Sequence, residues 1–466
     1  MKDNSRKHQQ FLIHIGILVT FFLIPLWLRI PNAPKSFTRE YVLGFVWLIP
    51  LTFTLALWVS SGFLGIKQVA RSRRRSLFAF SLLGLALWAN LSVSWAYMRD
   101  LRPEVTVGVA GQVGIMALFG VMVLATAPAP RRVALALIMG MVTYGIIGAW
   151  QVTIQDDIGL RFLGEFWLDP AQGGISVVQA GDVRWLRPYG LTPHPNVFAG
   201  YMLVGVLCAV GWVLARIMPT QQTQIRMGET HLVRWWTTLL TPIIIMLFGL
   251  WMLFLTFSRS SWLGFASALI VMLITLTIRK WWTKRALRMV LVVGGAMVVM
   301  GGIFIALYHP FILARVGMTD EYVEMRAVNE RAIHLRVAYA TFEESPVWGV
   351  GVGNFPWYST YYLKYEMRVD MKGDNIHNIY LSALTELGII GLVLMLAGLI
   401  VALIKIPTDI HRLALWGGVL GLALVGLFDH YTWSMLAYGA LWWGIMGVVL
   451  AEPIPSLHHS NPIKRI

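Results

Sequence analysis

The sequence predicts an all-α polytopic membrane protein, and three observations carry that reading. About twelve apolar stretches reach the roughly 17–25 residues a bilayer helix needs. The basic residues gather on alternate connections, and two long loops fall together on the other side. Hydrophobic residues make up 57% of the 466-residue chain and charged ones only 13%, which excludes a disordered chain and a conventional soluble enzyme.

The spans follow in order. The first, 11–30, is longer than a signal-peptide core and lacks a clear small-residue cleavage site, so it is expected to remain as a helix. The second, 41–64, leads into a basic turn carrying Arg71, Arg73, Arg74 and Arg75. Spans 77–97, 105–127 and 133–154 complete an N-terminal group over 1–154, followed by the first long loop, 155–194. Spans 195–215, 237–257, 261–278 and 289–308 lie in the segment 195–308, with Arg279, Lys280, Lys284 and Arg285 clustered before the last of them. A large loop, 309–376, precedes spans 377–404, 413–430 and 434–450 and a tail ending at 466. Boundaries of this kind shift by about four residues.

Charge sets the expected orientation. The side holding both termini carries 22 of the 38 lysines and arginines but only four of the 23 acids, which places it in the cytoplasm and both long loops outside. The basic clusters therefore read as topology anchors near anionic headgroups rather than as nucleic-acid contacts. The single cysteine, Cys208, excludes an intramolecular disulfide framework and a thiolate zinc cluster.

Polar groups at the outer helix ends are the candidates for chemistry. His377-Asn378 opens the tenth span and is followed, nine residues on, by Gly388-Ile389-Ile390-Gly391. On a continuous helix Gly388 would lie only about 20° around from His377, and two glycines there would admit a neighbouring helix. His377 then faces a water-exposed cavity or simply marks the interface. Glu386 would lie roughly 13.5 Å into that helix on the opposite face, paired with another helix. Arg187-Pro188-Tyr189-Gly190-Leu191-Thr192-Pro193-His194-Pro195-Asn196 joins the first long loop to span six. Its prolines stiffen the backbone, and Arg187 is either a diphosphate ligand or a headgroup salt bridge. Ser258-Arg259 forms a tight turn between spans seven and eight, where arginine is a snorkelling anchor or a cavity ligand.

Within 309–376, Glu330 to Ala340 reads as an amphipathic helix carrying Arg331, His334 and Arg336. The Pro346, Gly349, Gly351, Gly353 stretch follows a helix and lacks a Lys-Ser/Thr ending, so it is not read as a nucleotide loop. The aromatic run from Phe355 to Tyr365 is a sugar platform or a bilayer-surface face.

Taken in order, these motifs resemble the O-antigen ligase/polymerase superfamily (WaaL/Wzy type). His377-Asn378-x9-Gly388-x2-Gly391 is similar to the ligase signature His-[Asn/Ser/Gln]-x9-Gly-x-x-Gly. The Arg331 helix with Pro346-x2-Gly349-Val350-Gly351, the Arg187-to-Asn196 stretch and Ser258-Arg259 resemble its other motifs, and Ser92-Val93-Ser94-Trp95-Ala96 a recurrent third-helix pattern. The resemblance is strongest over 185–395. It implies a C-type glycosyltransferase fold, a bacterial cytoplasmic-membrane location with the active site outside, and no required metal or cofactor. It also implies transfer of glycan from a polyprenyl-diphosphate carrier to a glycan or lipid-linked acceptor. In that role His377 would deprotonate the acceptor hydroxyl, and Arg187 and Arg331 would bind the diphosphate. Arg259 and Arg336 would help, and His194, Asn196, Asn378, Gly388 and Gly391 would support the site. The 309–376 loop would act as a lid. The ligase form of the motif favours ligation over polymerisation. From another class, a proton-coupled transporter would use Glu386 and Asp429-His430 as a relay.

Overall fold

The computed structural model describes residues 2–28, 46–218, 232–315, 322–369, 371 and 373–452. The expected span ends at 29–30 and 41–45, most of the basic loop 215–236, loop residues 316–321 and the tail from 453 lie outside them. The described chain is an all-α bundle with one small antiparallel hairpin.

The helices run as α1 (Lys2–Leu23), α2 (Leu48–Ser60), α3 (Ile66–Ala70), α4 (Arg73–Leu91), α5 (Pro103–Thr126), α6 (Pro130–Ile154) and α7 (Pro195–Ile217). They continue as α8 (Leu232–Leu255), α9 (Arg259–Ile278), α10 (Lys284–Arg315), α11 (Tyr322–Glu344) and α12 (Phe355–Tyr365). The last are α13 (Ile379–Leu403), α14 (Ile410–Val425), α15 (Tyr431–Ser434) and α16 (Leu436–Leu450). Strands β1 (Val177–Ala180) and β2 (Val183–Leu186) pair Val177 with Leu186. Seven of the described helices are both long and apolar enough to cross a bilayer, and four more apolar stretches are shorter. The pattern therefore supports many spans without fixing the number at twelve.

Helix α7 is the axis of the bundle, with 94% of its most apolar window buried, whereas the corresponding window of α10 is only 11% buried and forms an edge. Around α7 pack α6, α8, α9 and α14, while α5 sits between α4 and α16, and α13 leans on α4. Small residues permit the closest crossings. A Cβ on Gly447 would stand 2.7 Å from the Gly120 carbonyl oxygen, and one on Gly264 would stand 2.7 Å from that of Gly421.

Several arginines of the expected topology clusters have definite structural partners. Arg74 donates to the carbonyls of Val401 (2.9 Å) and Ala402 (3.3 Å) in the last turn of α13. Arg279 donates to Pro407 and Ile406, and Arg412 to Ala451 just beyond α16. Cations thus satisfy carbonyls at or just beyond helix C-termini, where the backbone lacks intrahelical donors and the dipole favours positive charge.

Two expectations about helices change. The span 289–308 continues to Arg315 across a bend at Tyr308 and Pro310, because the proline ring cannot sit in an unbroken helix. The span 377–404 is not one continuous helix either. It begins at Ile379 and breaks at Gly388, whose φ of +66° and ψ of −169° are accessible essentially to glycine alone.

Candidate active site

The break in α13 builds one wall of the site. It frees backbone groups that the segment after Pro346 takes up: Val350 N–H donates to Thr385 O (3.0 Å) and Gly351 N–H to Glu386 O (2.9 Å). Ile389 N–H donates in return to Pro346 O at 2.9 Å, and the Trp88 indole donates to Leu387 O at 2.8 Å. These bonds give partners to backbone groups that the break would otherwise leave unpaired in a membrane interior. Glycines make the fit. A Cβ on Gly388 would stand 2.0 Å from Val347 O, and one on Gly349 would stand 2.4 Å from the Glu386 carbonyl carbon. The Gly388 and Gly391 pair was expected to admit a neighbouring helix. Instead Gly388 admits a loop, and Gly391 leaves room for Leu387, whose Cβ would lie 2.2 Å away from an added one. The glycine-rich turn is accordingly a backbone dock.

His377 precedes α13, and Asn378 caps the helix by accepting from the N–H groups of Tyr380 and Leu381, both at 3.0 Å. Asn378 also donates to Leu427 O, and Ile379 N–H to Gly426 O. These bonds tie the histidine to the turn after α14. That turn delivers Asp429 and His430: an Asp429 oxygen lies 3.9 Å from His377 Nδ1, and the two imidazole rings are 5.1 Å apart. Burial holds the His377 imidazole below its ordinary pKa, opposed by Asp429 and reinforced by Arg331. A neutral imidazole is the form that accepts a proton.

Behind this pair runs a buried polar chain. Asp429 accepts from Asn196 Nδ2 at 2.9 Å, and Asn196 Oδ1 accepts from Arg187 at 2.6 Å. Arg187 is only 2% exposed and donates further to Thr256 O (2.6 Å) and Ser176 Oγ (2.7 Å). Its turn is pinned by Gln151, which accepts from Tyr189 and Gly190 N–H and donates to Gly190 O. His194 caps α7 by accepting from Asn196 N–H. Burial, with Arg187 nearby, pushes its pKa well down, so it serves as a neutral acceptor.

A cavity of about 290 Å³ opens in front of the chain, lined by Asn196, Ser258, Arg259, Ser260, Leu263, Arg315, Arg331 and Phe428. Among the described residues the lining holds three arginines and no acidic residue, a charge and donor set suited to a multiply charged phosphate ester. Arg315 holds the turn that carries Arg259, donating to Phe257 O at 3.3 Å and accepting from Arg259 at its own carbonyl.

The structure therefore places Asn196, Arg259 and Arg331 on the cavity lining, and His377 beside Asp429 within electrostatic reach of Arg331. Arg187 lies behind the cavity wall. Arg336 is exposed on α11 and is not among the lining residues. Sequence reasoning missed Arg315, because it falls inside an apolar span that outruns its expected end. It also missed His334 as a brace: His334 Nε2 accepts from Asp374 N–H at 3.1 Å and its Nδ1 meets Glu330 O at 2.8 Å, which fixes the proton on Nδ1. Glu386 accepts from the Trp433 indole at 2.9 Å, buried away from the cavity lining.

Among known proteins, the family model described as O-antigen ligase (Wzy_C) matches residues 244–396. That segment holds Arg259, Arg315, Arg331, His377 and the α13 break, while Arg187, Asn196 and Asp429 lie outside it. No individual curated protein matches the chain.

Proposed function

From the match of residues 244–396 to the O-antigen ligase family we propose that the chain belongs to the O-antigen ligase/polymerase superfamily and is a ligase-type glycosyltransferase. It moves a glycan from a polyprenyl-diphosphate carrier to an acceptor hydroxyl at the extracytoplasmic face of the bacterial inner membrane. The family carries the coarser statement, a membrane-embedded ligase or polymerase of polysaccharide biosynthesis acting on lipid-linked glycans. It favours this reading over the transporter. The observation that supports the finer reading is the cavity with three arginines, one of which, Arg331, acts on the half-buried, neutral imidazole of His377.

In this reading the acceptor oxygen attacks the anomeric carbon, and the bond from that carbon to the diphosphate oxygen breaks. His377 takes the hydroxyl proton, and Asp429 stabilises the imidazolium that results. Arg259, Arg315 and Arg331 hold the diphosphate as it gains charge. The lipid tail stays in the bilayer beside the exposed edge helix α10 while the head enters the cavity.

Metal independence belongs to the proposal. His377, Asp429 and His430 place donor atoms within 4.8 Å of one another, an arrangement that also suits a cation. Transfer by the purified protein from the host's lipid-linked glycan, with EDTA and with His377→Ala, tests both points. Loss of transfer in a folded His377→Ala variant and its persistence in EDTA are the expected results. Dependence on added metal would replace the arginine-only account. Product length separates ligation from polymerisation: single additions of finished chains support the ligase, and a ladder of repeats the polymerase.

A further inference from the structure

We propose that Arg187 and Asn196 are positioning residues that fix Asp429 against His377, rather than ligands of the donor diphosphate. The proposal rests on the reading of His377 as the base. Its ground is hydrogen-bond logic. A guanidinium only donates and a carboxylate only accepts, so a side chain bridging them must present an acceptor to one and a donor to the other. Asn196 does this, with Oδ1 toward Arg187 at 2.6 Å and Nδ2 toward Asp429 at 2.9 Å. The amide has one orientation that satisfies both neighbours, and Arg187 dictates it. Aspartate at 196 would face the Asp429 carboxylate with a second one, and leucine would satisfy neither partner.

The anchoring is three-sided. Arg187 binds the loop through Ser176, the α8–α9 turn through Thr256 and the start of α7 through Asn196. The other Asp429 oxygen accepts from His430 N–H at 2.9 Å and faces His377. A carboxylate held at both oxygens keeps its direction, and direction is what a base partner supplies. The chain thus connects the first long loop, outside the matched family segment, to the reacting histidine inside it.

The groups acting on His377 are Asp429 and His430 from the turn after α14, Arg331 and His334 from α11, Asp374 from the preceding loop and His194 at α7. Changing residue 196 leaves all of these in place while it alters how Asp429 is held and, for aspartate, adds a charge beside it. Asn196→Leu frees the carboxylate, weakening its support of the imidazolium, so the acid limb of turnover moves to lower pH. Asn196→Asp adds negative charge, so the limb moves to higher pH.

The test measures kcat, donor KM and inhibition by inorganic diphosphate across pH for wild type, Asn196→Leu, Asn196→Asp and Arg187→Gln. Thermal unfolding of each purified protein controls for folding. The pH dependence of diethyl pyrocarbonate modification at His377, read by peptide mass spectrometry, follows the imidazole without turnover. Expected are a kcat loss on the order of 10- to 100-fold, limb shifts of opposite sign in the two Asn196 variants, matching modification curves, and, in Arg187→Gln, donor KM and diphosphate inhibition within about twofold of wild type. An unmoved limb and modification curve would overturn the proposal. So would a tenfold rise in donor KM or in the diphosphate inhibition constant in Arg187→Gln, which would make that arginine a ligand. Full activity in His377→Ala would instead remove the base reading, and the modification curves alone would then decide whether Asn196 governs the imidazole.

Discussion

Asp429 stands 3.9 Å from Nδ1 of His377, and that nitrogen is buried with no hydrogen-bond partner among the described residues. The separation is too long for a hydrogen bond and short enough to close when the ring acquires a proton. In the proposed reaction the resting site thus keeps the His377 imidazole neutral and its counter-charge in waiting.

A pH profile follows from that relationship. Burial lowers the His377 pKa from its ordinary value near 6.5, so transfer holds at neutral pH and falls as pH drops through the lowered value. Arg331→Gln removes a positive charge that depresses the imidazole, and its acid limb moves up. Asp429→Asn removes a negative charge that supports it, and its limb moves down. Turnover against pH in the purified variants checks both signs, and shifts in the same direction would contradict the assignment.

The cavity arginines are expected to act on donor affinity. Arg315→Ala removes a charged donor and loosens the turn carrying Arg259. A charge-assisted contact worth about 1.5–3 kcal/mol corresponds to a rise in donor KM of roughly 10- to 150-fold. Arg336→Ala, on the exposed face of α11, should change it by less than about twofold. Steady-state kinetics with the lipid-linked donor distinguish the two, and equal effects would displace the proposed pocket.

Gly388→Ala should destabilise the protein rather than its chemistry alone. An added Cβ meets Val347 O at 2.0 Å in a backbone conformation that alanine avoids. The cost is of the order of 1–3 kcal/mol before any rearrangement of the dock, and detergent-solubilised protein should unfold several degrees lower. Unchanged unfolding would show that the break is not needed.

Arg74→Ala tests the opposite end of the bundle. It removes two donors to the end of α13 and should lower stability by roughly 1–2 kcal/mol while leaving donor KM unchanged. A changed KM would mean that the two ends are mechanically linked.

Much of this was legible in the chain. Apolar length and charge alternation locate α4 to α7, α9 and α13 within a few residues, because bilayer helices must be long and internally hydrogen-bonded. Pro195 suits the first turn of α7 for an equally local reason. The break at Gly388 was hidden, since a glycine within an apolar run looks the same whether it admits a helix or a loop. The burial of Arg187 was not legible: a charged residue beside prolines at a membrane interface gives no sign of whether its fork points outward or into the protein. Arg315 escaped because the run around it is apolar and the bend at Pro310 changes the helix's direction, not its existence. The Asn196–Asp429 bond joins residues 233 positions apart, and no local pattern encodes such a pairing.

The dock at Gly388 also bears on how such proteins can be recombined. Residues 346–351 and the 385–389 turn exchange backbone hydrogen bonds in both directions, and Trp88 seals a third side. Neither segment is a transplantable module. A chimera that imports a foreign loop while keeping its own broken helix inherits a mismatched seam, whereas one whose crossovers lie before 346 and after 391 carries both halves together. Shuffled libraries should therefore yield folded hybrids in blocks, with few survivors joined between those two points.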